Sequence, residues 1–341
     1  MKAVIYNEFG PPEVLELKEK EKPFPKDNEI LIKIYAASVN YGDLIARHFN
    51  DVTPREFNMP FLFWFMARMY FGWSKPKVNI LGSEFSGEVE STGKGVKAFK
   101  SGDQVFGYLG QAMGAYAEFL RMKEDGVVVH KPENMSHEEA ATIPSGGMTA
   151  LALLRKAQIQ AGQKVLINGA SGGIGSMAVQ LAKNAGAEVT GVCGTHRIEF
   201  VKSLGADKVI DYTKEDFTKS GETYDLIFDI LGRSSFSRCK NSLAGNGRYL
   251  RASFKSPQLI QMLWTSLFSK KKVICALSPQ KSEDLKEIKK FIEAGKIKSI
   301  IDRSFAAEQV AEAHRYAEEG RKKGNIVITF NNNRQPATIH E

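Results

Sequence analysis

The chain has 341 residues, of which 43% are apolar, and it carries a net charge of +8 at pH 7. This length suits two domains, and the apolar content suffices for two buried cores. The basic residues are interleaved with acids, as in KSEDLKEIKKFIEAGKIK, which indicates solvated faces and argues against a nucleic-acid groove. The cysteines Cys193, Cys239 and Cys275 lie far apart and form no paired framework, as is typical of a reducing cytosol.

Signals for export or membrane insertion are weak. The first residues lack the basic head and the apolar core of a signal peptide. The most apolar segment, residues 59–73, is interrupted by Arg68 and falls short of the roughly 20 residues that span a bilayer. We therefore expect a soluble, cytoplasmic protein.

Residues 1–125 are predicted to form short strands separated by turns. Apolar and polar residues alternate over 29–35 and 85–89. Turn signals recur at 10–12, 26–28 and 101–103. This pattern predicts a small β-rich domain. After it, Ser136 forms a capping box with Glu139, which predicts the start of a helical stretch.

A strand, a glycine turn, a helix and a second strand follow one another between residues 164 and 193. Residues 164–168 are a short apolar run typical of a buried parallel strand. The glycines between 169 and 175 predict a tight turn that brings N–H groups against a ligand, and a helix then runs to Gly186. This order within about 30 residues is typical of a dinucleotide-binding unit, with the pyrophosphate at the helix N-terminus. The alternative is a structural turn without a ligand.

The residues after the second strand bear on the choice of cofactor. An NAD site needs a carboxylate there for the ribose 2′-hydroxyl, whereas an NADP site needs positive charge and small polar groups. This chain has Cys193, Gly194, Thr195, His196 and Arg197, without an acid. NADP is therefore favoured, with Thr195 and Arg197 as contacts of the 2′-phosphate. An exposed surface arginine is the alternative interpretation of Arg197.

Strands and helices alternate through the rest of the chain. Helices are predicted at 198–204, 234–243, 282–295 and 307–319, and strands at 188–193, 208–210, 225–229, 247–252, 272–277 and 325–330. This alternation predicts a doubly wound parallel sheet, with last elements that return to the first domain. The tail after Phe330 is predicted to be disordered.

The chain resembles the medium-chain dehydrogenase/reductase superfamily and, within it, the zinc-independent quinone oxidoreductase branch related to zeta-crystallin. The similarity covers nearly the whole chain, and its motifs are AASVNYGDL at 36–44, LGSEFSGEVESTGKGVKAFKSGDQVFG at 81–107, IPSGGMTALALL at 143–154, NGASGGIG at 168–175, LGADKVIDY at 204–212 and GNIVITF at 324–330. The resemblance implies an α/β protein with two domains. A GroES-like β-rich catalytic domain, 1–125 completed by 281–341, accompanies a Rossmann NADP-binding domain at 126–280.

Metal use follows from the same resemblance. Asn40, Ser83 and Ser145 stand at the positions where zinc-dependent members hold their catalytic zinc. None of these residues supplies the thiolate or imidazole that zinc prefers. The four-cysteine lobe of a structural zinc is also missing from the sequence. The resemblance therefore implies no metal.

The resemblance also implies the residues of the site. Asn40, Tyr41 and Asp43 are the catalytic candidates. Tyr41 is either a proton donor to the substrate carbonyl or a packed core tyrosine, and Asp43 either takes part in catalysis or only braces the loop. The candidates for NADP(H) binding are Asn40, Thr149, Ala170, Ser171, Gly172, Gly173, Ile174, Cys193, Gly194, Thr195, Arg197, Tyr212, Leu231, Ser253 and Asn325. His314 lies on the apolar stripe of its helix, which indicates a core histidine rather than a ligand.

The implied activity is hydride transfer from NADPH to an apolar quinone or α,β-unsaturated carbonyl without zinc. The alternatives are reduction of 2-enoyl thioesters, and an NADPH-binding scaffold or sensor without turnover. The family also implies a homodimer that pairs through residues 272–277. Two apolar segments, 59–73 and 257–268, are interpreted as a lid for a bulky substrate with a possible contact to a membrane surface. A subunit interface or additional core is the alternative for both.

Overall fold

A computed structural model describes residues 1–320 and 322–330, so the tail predicted to be disordered lies outside the described residues. The strands are β1 (Lys2–Ile5), β2 (Glu16–Glu19), β3 (Glu29–Val39), β4 (Glu84–Thr92), β5 (Gln104–Tyr108), β6 (Phe119–Lys123), β7 (Val127–His130), β8 (Lys164–Asn168), β9 (Glu188–Cys193), β10 (Lys208–Asp211), β11 (Tyr224–Asp229), β12 (Leu243–Arg251), β13 (Lys272–Cys275), β14 (Ile301–Ala306) and β15 (Asn325–Thr329). The helices are α1 (Tyr41–Arg47), α2 (Phe61–Phe71), α3 (His137–Ala140), α4 (Pro144–Ala157), α5 (Gly173–Asn184), α6 (Ile198–Ser203), α7 (Phe236–Cys239), α8 (Ser256–Phe268), α9 (Ser282–Glu293) and α10 (Val310–Glu318).

The chain divides into two compact units. Among the described residues, the first unit comprises 1–50, 71–144, 301–320 and 322–330, and the second comprises 51–70 and 145–300. The first contains the antiparallel strand pairs of the described residues and one parallel pair, β14 with β15, and the second contains a parallel sheet with its helices. The predicted pairing of a β-rich unit with a doubly wound unit is therefore confirmed.

The first unit is built around β3. This strand pairs with β4, β6 and β15 in a sheet of order β14-β15-β3-β4-β5-β7, and its 11 residues make it the longest strand described. Ile30, Ile32 and Ile34 are fully buried, whereas Lys33 and Tyr35 are partly exposed. Alternation along the strand thus places three branched apolar side chains in the core.

The second unit is a six-stranded parallel sheet of order β10-β9-β8-β11-β12-β13. Runs such as Val165, Leu166 and Ile167 are buried on both sides, as parallel strands covered by helices require. The order reverses beside β8, where β9 lies on one side and β11 on the other. Parallel sheets bind ligands outside the carboxyl ends of their strands at such a reversal.

The unit boundaries differ from the predicted domain boundaries, 125/126 and 280/281. Strand β7 pairs with β5 in the antiparallel sheet, so residues 126–144 join the first unit. Arg155 pairs with Asp284, and the Gln180 amide donates to the Lys298 carbonyl, so residues 281–300 join the second unit. Long-range contacts therefore move both boundaries by about 20 residues.

Two helices arise inside the region predicted to be β-rich, α1 and α2. Asn40 caps α1 with its side chain, and the Asp43 carboxylate accepts from the Asn40 N–H. Together these bonds form a capping box, which was not predicted from the sequence. The predicted box of Ser136 and Glu139 is confirmed at α3. In the described ranges, every helix is too short or too polar to cross a bilayer.

All three cysteines are buried, unpaired and in the second unit. Burial raises the pKa of the thiols of Cys193 and Cys275 to about 11, and the nearby Asp211 carboxylate adds to the effect at Cys193. These thiols are therefore protonated at neutral pH and are not nucleophiles.

The glycine turn after β8 packs tightly against α5 at one position. A Cβ atom on Gly175 would overlap the carbonyl oxygen of Gly169 and lie 2.9 Å from the Cα of Ala170. Such contacts with backbone cannot be relieved by rotating a side chain. By contrast, a Cβ atom on Gly173 would meet nothing within 4 Å.

We predict that Gly175→Ala destabilises the protein by about 1–3 kcal/mol or more, because the turn must separate from the helix. Gly173→Ala is the matched control and is expected to change the free energy of unfolding by less than about 1 kcal/mol. Urea unfolding of both variants without cofactor measures the difference. Equal stability of the two variants would contradict the close packing at Gly175.

Candidate active site

The predicted cofactor residues of the second unit converge on one edge of its sheet. The carboxyl ends of β8, β9, β10, β11 and β12 are followed by Ala170, Thr195, Tyr212, Leu231 and Ser253, respectively. Because neighbouring parallel strands end at the same edge, residues distant in sequence become neighbours. The structure thus brings five predicted segments to the place where a dinucleotide would bind.

The N-terminus of α5 is suited to a pyrophosphate. Its N-cap residue, Gly172, has no side chain to accept from the first N–H groups of the helix. Gly172 and Gly173 are exposed, and a Cβ on Gly173 would point into open space. The uncapped N–H groups and the positive end of the helix dipole therefore remain available to an anion. The residues present fit a dinucleotide.

The end of β9 is organised by a carboxylate that the sequence analysis missed. Asp211, the last residue of β10, accepts from the Thr195 hydroxyl at 2.6 Å and from the Thr213 hydroxyl and N–H. The Thr195 bond, the largest cause, lowers the pKa of the Asp211 carboxyl. The Thr195 hydroxyl is therefore engaged within the protein, by Asp211 and by the Thr213 hydroxyl at 3.0 Å. Of the two predicted contacts of the 2′-phosphate, Arg197 is the one that carries a positive charge.

The remaining candidates of the second unit lie around the turn. The Leu231 side chain is 3.2 Å from the place of a Cβ on Gly169, so it lies over the turn. The Ser253 hydroxyl donates to the Ile230 carbonyl, and the Thr149 hydroxyl accepts from the Gln280 amide. Cys193 is 2% exposed, so a contact of Cys193 with a cofactor would use its backbone.

In the first unit, Asn40 is a structural centre. Its side-chain oxygen accepts from the Gly42 and Asp43 N–H groups. Its amide nitrogen donates to the Ser83 hydroxyl at 2.7 Å and to the Glu84 carboxylate at 3.2 Å. The amide group therefore makes four bonds within the protein. These bonds hold the start of α1 against β4.

Asp43 is fully buried, and its carboxylate joins the start of α1 to the segment before β4. One carboxylate oxygen accepts from the Asn40 N–H, and the other accepts from the Gly82 N–H at 3.1 Å. Burial, the largest cause, raises the pKa of this carboxyl to about 7, and the charge of Glu84 adds to it. The hydrogen bonds, including one from Tyr116, oppose the rise. Asp43 thus braces the segment, which was the alternative to a catalytic role for this residue.

Tyr41 is 66% exposed at the first position of α1. The alternative of a packed core tyrosine is therefore wrong. A phenol with a pKa near 10 stays protonated at neutral pH, and the partial burial of its ring raises that pKa further. The structure thus presents Tyr41 as an accessible hydrogen-bond donor.

A buried polar chain lies behind Asp43. The His314 ring contacts the Tyr116 hydroxyl at 3.3 Å through Nε2 and the Arg47 guanidinium at 3.2 Å through Nδ1. Arg47 also pairs with Glu318. Burial, followed by the charge of Arg47, lowers the pKa of His314 to about 3, so the ring is neutral. The predicted core histidine is confirmed, but its partners, distant in sequence, were missed.

Two of the three residues at the predicted zinc positions contact each other, and the third belongs to the other unit. Asn40 and Ser83 bond to each other, whereas Ser145 belongs to the second unit. In residues 1–320 and 322–330, no group of three or more His, Cys, Asp or Glu side chains is arranged to hold a metal. The absence of zinc stays a prediction.

Asn325, a further cofactor candidate, begins β15 in the first unit.

Two family models match the chain. The model described as alcohol dehydrogenase GroES-like domain matches residues 26–133, and the model described as zinc-binding dehydrogenase matches residues 204–328. Together they cover the core of the first unit and much of the nucleotide-binding sheet.

Named proteins are similar over almost the full length. The chain is 32% identical to a chloroplast envelope quinone oxidoreductase homolog of Arabidopsis thaliana, over 96% of this chain and 98% of the relative. It is 28% identical to an NADPH-dependent alkenal/one oxidoreductase of the same plant, over 96% of this chain and 79% of the relative. The solved quinone oxidoreductase from Coxiella burnetii is 28% identical, with a TM-score of 0.82 over 97% of this chain and 99% of that one.

We predict that Asp43 makes stability depend on pH. Its folded pKa of about 7 lies above the ordinary value of 3.8, so the folded state binds the proton more tightly. Its contribution to stability is therefore full below about pH 4 and is lost as the pH rises through 7. The difference in unfolding free energy between wild type and Asp43→Asn should fall by at least about 1 kcal/mol between pH 4.5 and 8.

Thermal or urea unfolding at several pH values measures this difference. Asp51→Asn, which changes an exposed carboxylate of the second unit, is the matched control and should run parallel to wild type. A difference between wild type and Asp43→Asn that stays constant over this range would show that Asp43 is ionised in the folded protein throughout.

Proposed function

Since the chain belongs to the medium-chain dehydrogenase/reductase superfamily, in its quinone oxidoreductase branch, we propose that it transfers hydride from NADPH to a quinone or an α,β-unsaturated carbonyl without zinc. The observation that carries this proposal is the uncapped N-terminus of α5 at the edge of the parallel sheet. Arg197 follows β9 at that edge, where an NAD site would need an acid. The relative named NADPH-dependent supports the same choice of cofactor.

Each proposed role follows from a group on the chain. The N–H groups at the start of α5 bind the pyrophosphate, and Arg197 binds the 2′-phosphate. When bound, the nicotinamide would supply the hydride. The Tyr41 hydroxyl donates a hydrogen bond to the substrate oxygen, which gains negative charge as hydride arrives. The bonded Asn40 and Asp43 hold the helix that begins with Tyr41.

The substrate class follows from what the site must stabilise. In a quinone or an enone, the charge delocalises into a phenolate or an enolate, so hydrogen-bond donors suffice for the oxygen. Oxidation of a simple alcohol requires a stabilised alkoxide, which a zinc ion normally provides. Asn40, Ser83 and Ser145 are poor ligands for zinc. The residues therefore favour activated carbonyl acceptors.

We further propose a cytoplasmic homodimer. Strand β13 is the last strand of the parallel sheet. Pairing with another strand there requires its Val273 and Cys275 N–H groups to leave the Thr265 hydroxyl and the Met262 sulfur of α8. The same strand of a second copy would extend the sheet across a two-fold axis.

The first test is oxidation of NADPH and NADH by the chelator-treated protein with ortho- and para-quinones, alkenals and simple ketones. We expect NADPH-dependent turnover of quinones or alkenals and none of ketones. Because no zinc is required, chelator should leave the rates unchanged. Tight NADPH binding without turnover on any acceptor would favour a scaffold or sensor, and a chelator-sensitive alcohol activity would overturn the zinc-free mechanism.

We predict that Arg197→Ser weakens NADPH binding by about tenfold or more and leaves NADH binding nearly unchanged. A charge-assisted bond to phosphate contributes about 1.5–3 kcal/mol, and NADH lacks that phosphate. Lys202→Ser removes an exposed cation from α6 and is the matched control, expected to affect neither cofactor. Titration of each protein with both nucleotides measures the effect. Equal losses for NADPH and NADH would mean that Arg197 does not read the 2′-phosphate.

A further inference from the structure

Helix α8 is apolar on both of its faces. On its inner face, Leu259 and Met262 pack against a buried cluster that includes Tyr249 and Val273, and Thr265 is fully buried. Its outer face carries five large apolar side chains that are 54–71% exposed: Ile260, Leu263, Trp264, Leu267 and Phe268. A helix of a water-soluble surface normally carries polar residues on its outer face. The apolar outer face of α8 therefore requires a partner.

The spacing of these side chains makes one continuous surface. They stand at i, i+3, i+4, i+7 and i+8, which places them along one side of the helix. We call this surface the α8 stripe. An apolar surface of several adjacent large side chains marks an interaction site rather than ordinary exposure. The interpretation of segment 257–268 as additional core is therefore wrong for the residues of this stripe.

A second exposed apolar surface lies in the same unit, on α2. Its side chains are 38–63% exposed and include Phe61, Leu62, Phe65, Met66 and Met69. The Lys255 ammonium, at the start of α8, donates to the Arg55 carbonyl, and Met59 packs against the same cluster as Leu259 and Met262. The segment before α2, which contains Arg55 and Met59, therefore contacts the start and the inner face of α8.

The sequence on both sides of α8 carries charge of one sign. Between residues 230 and 282 the chain contains ten lysines and arginines and no aspartate or glutamate. Lys255 precedes α8, and residues 270–272 are three consecutive lysines that follow it. An open hollow of about 620 Å³ at this end is lined by Leu267 and Phe268 together with Arg248 and Lys270. Apolar and cationic groups thus share one surface.

We propose that the α8 stripe docks on an anionic lipid surface. The apolar side chains would enter the boundary between headgroups and acyl chains, and the flanking lysines would contact lipid phosphates. Thirteen residues are too few to span a bilayer, so the helix lies along the surface. This inference is independent of the reaction that the protein catalyses.

Charge complementarity favours lipid over a second copy of this chain. In a two-fold dimer, the same patch of each copy faces the other. A dimer formed through the α8 stripe would bring the basic groups that flank it, Lys255 and residues 270–272, near those of the second copy, and like charges oppose association. The dimer proposed above instead pairs the backbone of β13 and leaves the α8 stripe uncovered. An anionic lipid surface instead offers the opposite charge along the whole patch.

The test is flotation of the full chain with vesicles of phosphatidylcholine alone or mixed with phosphatidylglycerol. We expect at least about tenfold stronger binding to the anionic vesicles, weakened by added salt. The paired change Leu263→Ser with Leu267→Ser should reduce binding by about tenfold or more, because both side chains leave the acyl boundary. Phe24→Ser, an equally exposed apolar side chain in the first unit, is the matched control and should bind like wild type.

The charge contribution is tested separately. Lys270→Glu should weaken binding to anionic vesicles by about tenfold and leave the weak binding to neutral vesicles unchanged. Lys286→Glu, an equivalent change on the exposed side of α9, is its control. In a variant with Trp64→Phe and Trp73→Phe, the fluorescence of Trp264 should shift to the blue on vesicle binding.

Three results would overturn the proposal. The wild type could fail to float with either vesicle. The Leu263→Ser and Leu267→Ser pair could float as well as wild type. Alternatively, that pair could convert a dimer to a monomer in size-exclusion chromatography, which would assign the stripe to an interface between copies. Circular dichroism of each variant ensures that a loss of binding is not a loss of fold.

Discussion

The close contact between α5 and the glycine turn after β8 is the constraint on which the nucleotide-binding unit depends. Gly175 lies so near the backbone of residues 169 and 170 that no side chain fits between them. This contact directs the start of α5 toward the edge where the strand order reverses. Uncapped N–H groups, the Leu231 side chain and the polar groups around Thr195 then surround that edge. One backbone contact therefore sets the geometry of the phosphate-binding end of the site.

The local signals of the sequence predict much of this architecture, because strand and helix periods are short-range properties. The predicted strands 164–168 and 188–193 coincide with β8 and β9. Helices α2 and α8 were not predicted as helices, because α2 is apolar on almost every side and α8 carries large apolar side chains on two faces, which weakens the helical period of each sequence. The contact of Asp211 with Thr195 was missed because it depends on the pairing of β10 with β9. A site residue supplied by a neighbouring strand becomes predictable only once the sheet order is known.

In the first unit, buried polar groups support the helix that carries the exposed Tyr41. The pKa values of two of these groups, Asp43 and His314, shift in opposite directions. Burial favours the neutral forms of both Asp43 and His314, which raises the pKa of the acid and lowers that of the base. Neutral groups can form hydrogen bonds with one another in the core without the free-energy cost of a buried charge. The chain from Asp43 through Tyr116 to His314 thus forms a firm base for the helix that carries Tyr41. Its partners come from α1, the segment before β6 and α10, so no single motif reveals it.

The three buried thiols offer a way to observe motion in the second unit. A protonated, enclosed cysteine reacts with an alkylating reagent only during moments when the surrounding structure opens, so each labelling rate reports a local opening free energy. Cys193 would report on the end of β9, Cys239 on α7, and Cys275 on β13 beneath α8. A bound dinucleotide would slow the opening at Cys193 more than at the other two. The three native cysteines therefore distinguish local opening at the end of β9 from local opening at the edge of the sheet.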